Sequence, residues 1–450
     1  MHEPLNKQIE QALQLATYTK DIFIGRGAIG ELPSFIHKRY PNQHAIIIAD
    51  ENTWIAAGKR IHKMLREVNL IDRAADRGSL ILSPDQLHAE MSHVNEVQNF
   101  IDQHDNIVPI AVGGGTINDL TKLAASNLDL TYICVATAAS VDGFGAYSAS
   151  IEVQGHKQTI YCPAPLAVVA DLDVICEAPH DLNAAGFGDL LAKYPAGVDW
   201  ILADAVNIEP IDQTVWNLTR DELDIWTDDP EGIAKNKDTA IRNLFNGLIM
   251  QGIAMDVYQD TRPCSGAEHQ FSHNLDMTNH RHHGDITLHG FKVAIASIAM
   301  SKLHDHLLNA DLSTFDINKR LESWPTLDQA IAHGQSLFPS QILKDIVAKE
   351  FPKKYQSYDQ LKKILTTLKS NWPDIRNRAL KSHIPPETLK QKLAAAGCPT
   401  NPEQISVPFP QLKALYEQAY HTRARFTALD ITVMLDQLNN WTTQIFNEPW

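Results

Sequence analysis

Between residues 45 and 170, short runs of apolar and β-branched residues alternate with helix-compatible stretches, and each run ends on polar or small residues. No other feature constrains the fold as tightly, because strands joined by helices make βαβ units and hence a parallel sheet. Residues 45–49 end at Asp50, and 79–82, 107–112 and 132–136 are the next strand candidates. In open α/β sheets ligands bind outside the carboxyl ends of the strands. Asp50, the triplet Gly113-Gly114-Gly115 and the segment Thr137-Ala138-Ala139-Ser140 are therefore expected to converge.

The three glycines stand where an apolar run gives way to Thr116-Ile117-Asn118-Asp119, a helix-compatible start. Without side chains at such a junction, backbone N–H groups can approach an anion, and the helix N-terminus adds partial positive charge. The spacing is neither G-x-G-x-x-G nor a P-loop. Taken alone, a phosphate cradle and a mere tight turn are equally open. Strand-like residues continue through 151–153, 159–161 and 166–170. Beyond a boundary near 175–185 the chain turns helical, with apolar residues at helical spacing in 240–258, 289–307 and 340–351. With 450 residues, two domains are expected: an α/β domain over 1–178 and a helical domain over 179–450.

Charge and cysteine usage narrow the class of partner. Against 39 basic residues stand 54 acidic ones, a net charge of −15 that argues against nucleic acid or an anionic membrane as the main partner. No apolar run approaches the roughly 20 residues a membrane span needs, and the first residues lack the order of a secretory leader. The five cysteines, at 134, 162, 176, 264 and 398, have no C-x-x-C spacing, so a reduced, cytoplasmic setting is expected.

Several residues could carry chemistry. Gly186-Phe187-Gly188-Asp189 reads as a helix start with an acidic residue in its first turn and Lys193 four residues on, either a dipole-stabilised pair or a ligand. His269 and His273 share one helical face, but Glu268 precedes the first histidine, so the order differs from H-E-x-x-H. Leu288-His289-Gly290 opens another apolar helix. One carboxylate and two histidines from separate helices suit a three-ligand metal site with an open position; two histidines on a polar face are the alternative. The run Asn279-His280-Arg281-His282-His283 reads as a solvated loop. Thr137 to Gly143 could meet a cofactor or polyol, or form only a turn.

Taken together and in order, Asp50-Glu51-Asn52-Thr53-Trp54, Gly113 to Asp119, Thr137 to Gly143, Gly186 to Asp189, Arg262-Pro263-Cys264-Ser265-Gly266-Ala267-Glu268-His269 and Leu288-His289-Gly290 resemble the sn-glycerol-1-phosphate dehydrogenase family. Its relatives are glycerol dehydrogenase and dehydroquinate synthase, in the iron-containing alcohol dehydrogenase-like superfamily. The resemblance runs from about residue 20 to 305 and leaves the tail beyond about 310 without a motif.

It implies a parallel-sheet NAD(P)-binding domain, an all-α second domain and an active site in the cleft between them. The activity implied is reversible NAD(P)H-linked reduction of dihydroxyacetone phosphate to sn-glycerol 1-phosphate, a reaction of phospholipid metabolism. Asp189, His269 and His289 look like the family's metal ligands, for zinc or nickel. Asp142 and His273 look like its substrate-contacting catalytic residues. Gly113, Gly114, Gly115, Thr116, Ile117, Asp119, Thr137 and Ser140 match its cofactor loops. Asp50, as an acceptor for a ribose hydroxyl, leans toward NAD over NADP.

Two departures concern the substrate: Ala146 stands where the family usually has serine, and Phe291 where many relatives carry glutamate. The phosphate-binding candidates are Lys193 and Arg262. A dehydrogenase of a non-phosphorylated polyol such as glycerol, and a nucleotide-binding relative without this activity, are the alternatives. A cyclase like dehydroquinate synthase would carry Gly-Gly-Lys where this chain reads Gly145-Ala146-Tyr147. The expected partner is a small polyol phosphate, and a homo-oligomer is compatible with the chain.

Overall fold

The computed structural model describes residues 5–71, 78–85, 87–153 and 155–450; the first four residues of the segment read above for a leader lie outside it. The chain divides into two compact units built from interleaved segments. One comprises 1–190, 217–263 and 395–397; the other comprises 191–216, 264–394 and 398–450. The single boundary expected at 178 cannot express this division, because the first unit takes back the long helix Asp238–Tyr258 after the chain has entered the second.

The first unit is organised by a parallel sheet. Its strands are β1 (Asp21–Gly25), β2 (His44–Asp50), β3 (Ser79–Leu82), β4 (Ile107–Gly113) and β5 (Ile133–Ala136), followed after a hairpin by β8 (Ala167–Asp171). The order is β1-β8-β5-β4-β2-β3, with every pairing parallel. β4, β5 and β8 are buried along their whole length, which is why they read as continuous apolar runs rather than alternating ones.

Val108, Ile110, Val112, Ile133, Val135 and Val169 form one core with Ile47, Ile61 and Leu65. Burying each such side chain contributes roughly 1.5–3 kcal/mol. Residues 151–153 and 159–161, read as further strands, fall instead on an antiparallel hairpin, β6 (Ala149–Val153) and β7 (His156–Ile160), which forms a separate two-stranded sheet. β1 carries no signal strong enough to have been singled out from the sequence.

The second unit is helical. A core of Val198, Leu202, Phe271, Leu275, Ile295, Leu303, Leu365, Trp372, Leu415 and Tyr416 joins the helices Lys193–Ala205, Ala267–Met277, His289–Leu308, Tyr358–Ser382 and Phe409–Thr422. Of the segments read as helical, 289–307 and 340–351 form His289–Leu308 and Gln341–Glu350 of this unit, and 240–258 forms Asp238–Tyr258 of the first. Among the described residues no helix is long and apolar enough to cross a membrane.

Candidate functional site

The candidate nucleotide side is built by backbone geometry. After β2 the chain proceeds outward to β3, whereas after β4 it returns across the sheet to β5. That reversal between β2 and β4 is the switch point where open α/β sheets bind ligands. Ile48 of β2 lies opposite Ala111 of β4, so Asp50 and Gly113 stand two residues further on, at the same level. Gly113 ends the strand, Gly114 is the N-cap, and Gly115 is the first residue of the helix Gly115–Asn127. No side chain caps this helix, so the N–H groups of its first turn lack a side-chain acceptor, an arrangement that suits an anion.

None of the three glycines has a positive φ. What they supply is space: a Cβ on Gly113 would lie 2.6 Å from Ile117, and one on Gly115 3.0 Å from Val141. The loop after β5 is tied to this turn by the Thr137 N–H, which donates to the Gly113 carbonyl at 3.2 Å. Thr137 and Ser140 are buried.

Two residues not foreseen from the sequence hold this loop. Asn183, on the helix His180–Leu191, accepts from the Ala139 N–H at 2.9 Å and donates to the Ile175 carbonyl at 3.0 Å. Lys122, wholly buried, donates to the carbonyls of Gly143, Ala146 and Ser148 at 2.8–3.0 Å. Nothing local marks either residue, because each answers to carbonyls and amides in segments remote from its own. Close approach is also bought by Gly186, where a Cβ would sit 1.8 Å from the Ala139 oxygen.

Two expected cofactor residues have other partners. Asp119 turns its carboxylate to β6 and accepts from the Ser150 N–H at 3.0 Å, and burial raises its pKa. Asp50 caps the turn that follows β2 through its Oδ1, 2.9 Å from the Thr53 N–H.

Asp189 is not at a helix start. It occupies the last turn of His180–Leu191, and Lys193 begins the next helix, so the anticipated dipole stabilisation and the continuous i, i+4 face do not form. The two glycines thus serve the middle of a helix that approaches the β5 loop, not its cap. The wholly buried Asp189 carboxylate accepts instead from the Asp142 N–H at 3.0 Å, and Asp142 opens the single turn Asp142–Gly145.

The second unit is built by side chains. His269 and His273 lie one turn apart on Ala267–Met277, and His289 is the first residue of His289–Leu308. The rings of His269 and His289 are 5.4 Å apart by centroid, and His273 is 6.4 Å from His289. His269 Nδ1 is 2.7 Å from Glu268 Oε1, while His289 Nδ1 is 3.2 Å from the Ser272 hydroxyl. Histidines fixed through Nδ1 present Nε2 as the ligand atom, the arrangement typical of metal-binding imidazoles. The donor set therefore fits a borderline-soft divalent cation.

Asp199 fixes the two helices that carry these rings. It is wholly buried and accepts from the Ala267 N–H at 2.7 Å, while its other oxygen accepts from the Ala428 N–H at 2.9 Å and faces His304 Nε2 at 3.1 Å. It thus joins the start of one histidine helix to the C-terminal part of the other. The run 279–283, read as a solvated loop, contributes to a two-residue ladder between Arg281–His282 and Asp285–Ile286. His280 and His282 engage the Ile405 carbonyl and the Ser406 hydroxyl at 2.7 and 2.8 Å. Lys193 and Arg262 are both buried.

Comparison with known proteins agrees with this architecture. Residues 23–179 match the iron-containing alcohol dehydrogenase family. The fold is shared with a probable glycerol dehydrogenase from Sinorhizobium meliloti 1021, at a TM-score of 0.57 and 15% identity over 95% of this chain and 98% of that one. The chain is 34% identical to a glycerol-1-phosphate dehydrogenase (NAD(P)+) of Halalkalibacterium halodurans over 298 residues, 66% of this chain and 73% of that one. It is 29% identical to the enzyme of that name from Geobacillus stearothermophilus over 440 residues, 94% of this chain and 98% of its relative. Fold and relatives together define an NAD(P)-dependent oxidoreductase acting on a CH–OH group. Within that class, the chain belongs to the glycerol-1-phosphate dehydrogenase family.

Proposed function

We propose that this enzyme reduces dihydroxyacetone phosphate to sn-glycerol 1-phosphate, reversibly, with NADH or NADPH. Asp189, His269 and His289 hold one divalent cation, zinc or nickel. The observation that carries the reading is the histidine pair 5.4 Å apart with each Nδ1 engaged, by Glu268 on one ring and Ser272 on the other. The relatives' names supply glycerol 1-phosphate, the product in this direction.

The reaction adds a hydride and a proton across a carbonyl. The bound nicotinamide supplies the hydride, and the cation, when bound, favours negative charge on the substrate oxygen. The protein's own work is positional. The uncapped first turn after Gly114 holds the pyrophosphate, and Thr137 and Ser140 line the adjoining loop. Asp142, held by its N–H to Asp189, orients a substrate hydroxyl. His273, one turn beyond His269, delivers the proton, for which an imidazole is suited at neutral pH.

Metal content and NADH oxidation, measured with dihydroxyacetone phosphate beside dihydroxyacetone, test the proposal. Activity on the phosphorylated ketone that chelation removes is the expected result. Turnover only with dihydroxyacetone would instead indicate a polyol dehydrogenase, and NAD binding without metal or turnover a non-catalytic relative.

A further inference from the structure

A second group of metal-ligand side chains lies in the first unit, on residues that the proposed reaction does not use. His88, Glu90 and Glu152 each offer one ligand atom, and these atoms all lie within 4.8 Å of one another. His88 Nε2 is 3.0 Å from Glu90 Oε2 and 3.7 Å from Glu152 Oε2. Donors about 2.0–2.1 Å from a tetrahedral zinc are roughly 3.3–3.4 Å apart, so the two separations bracket that spacing. We infer that His88, Glu90 and Glu152 form a second divalent-cation site, separate from the histidines of the helical unit and selective for zinc-like ions over magnesium or calcium.

Backbone geometry fixes the ligands. Glu90 and Glu152 face each other across an isolated parallel bridge, and the Glu152 N–H donates to the Ala89 carbonyl at 2.7 Å. The spacing is thus set by main chain on both sides, which favours a built site over two mobile surface carboxylates. Glu90 is also the N-cap residue of the helix Met91–Ile101.

His93, in the first turn of that helix, places its Nε2 3.8 Å from the other Glu90 oxygen, and its ring stands nearly perpendicular to that of His88 at 6.4 Å. It can orient Glu90 or supply a fourth donor. Two carboxylates around one imidazole nitrogen leave excess negative charge when the ring is neutral, and a divalent cation offsets it. One nitrogen among oxygens suits zinc, nickel or cobalt, whereas magnesium and calcium prefer all-oxygen shells.

The side chains are 24–39% exposed, so an ion can enter from solvent and retain water. A cation here would clamp β6 to the start of Met91–Ile101. Because Ser150 of the same strand is already bonded to Asp119 of the glycine-loop helix, the clamp would stiffen the layer that supports the nucleotide turn. It is a structural site, and nucleotide turnover does not depend on its donors.

The test uses the full chain, stripped with chelator and titrated with zinc against a chromophoric competitor, with melting temperature followed in parallel. The expected result is a zinc equivalent that His88→Ala or Glu152→Gln weakens at least tenfold while His289→Ala leaves it intact. The same two variants lose the part of the zinc-dependent rise in melting temperature that His289→Ala retains. In chelator they melt with the unaltered chain, which separates loss of the ion from loss of the fold.

Zinc binding by His88→Ala and Glu152→Gln that matches the unaltered chain in number and affinity overturns the inference. So does a single equivalent that His289→Ala abolishes. A single equivalent lost in His88→Ala and kept in His289→Ala would uphold this site while refuting the cation proposed at Asp189, His269 and His289.

Discussion

The nucleotide turn and the histidine pair solve opposite problems. At the turn, the proposed function rests on main chain: three glycines clear space, and the helix starting at Gly115 presents its own N–H groups. At the pair, the proposed function rests on side chains, and each needs a partner to aim it, Glu268 for His269 and Ser272 for His289, with Asp199 fixing both helices. A backbone site tolerates variation in side chains but not an added Cβ. A side-chain site tolerates bulk nearby but not the loss of a carboxylate that orients a ring.

The sharpest way to break this contrast is to remove a ligand. His289→Ala or Asp189→Asn should lower turnover by roughly a thousandfold or more through loss of metal, since a cation supplies several kcal/mol of charge stabilisation. NADH affinity, read by fluorescence titration, should barely change. A variant that keeps full activity after chelation would remove the cation from the reaction altogether.

Glu268→Gln keeps the shape but not the charge behind His269. Metal affinity should fall about 10–100-fold, measured by competition with a chelator, while melting in chelator is little altered. If affinity is unchanged, the Glu268 contact only packs the helix start.

Gly186→Ala tests the backbone region by adding one methyl group 1.8 Å from the Ala139 oxygen. A cost of about 1–3 kcal/mol in denaturant unfolding is expected, together with a raised KM for NADH as the loop after β5 is displaced. An unchanged KM would separate that loop from the cofactor.

Acid should act on the helical unit through one buried ring. Burial lowers the pKa of His421 from 6.5 to about 4. The folded state therefore keeps this ring neutral where the unfolded chain takes up a proton. Its contribution is fully present above pH 6.5 and is lost as pH falls toward 4, the loss amounting to about 2 kcal/mol by pH 5. Comparing urea midpoints at pH 7 and 5 for the unaltered chain and His421→Gln checks this, and equal pH slopes would refute it.

The smallest effect is expected at Asp50. If its carboxylate accepts from the ribose, Asp50→Ser should shift the NADH:NADPH preference by a few-fold toward NADPH, on the order of 1 kcal/mol. Equal KM ratios would leave Asp50 only its capping of the turn after β2.

How much was legible beforehand follows the same division. β2, β4, β5 and β8 announced themselves because a sheet buried on both faces demands unbroken apolar runs. His269 and His273 announced their shared face because helical spacing is local. Asp189 misled because two glycines before an acid look like a cap, whereas these glycines lie within a helix that must come close to Ala139. Asp119 carries a motif position yet serves β6, a strand thirty residues on whose approach no local pattern encodes.

By itself, then, the sequence determined the parallel sheet, the helical remainder, the glycine turn and the histidine-bearing helices, since each depends on periodicity or backbone sterics within a few residues. Only the tertiary structure decided how the units interleave, that Lys122 and Asn183 hold the segment after β5, and that Asp199 sets the histidine helices. Those roles depend on which distant carbonyls and amides a buried polar group must satisfy. That demand arises only once the chain has folded around it.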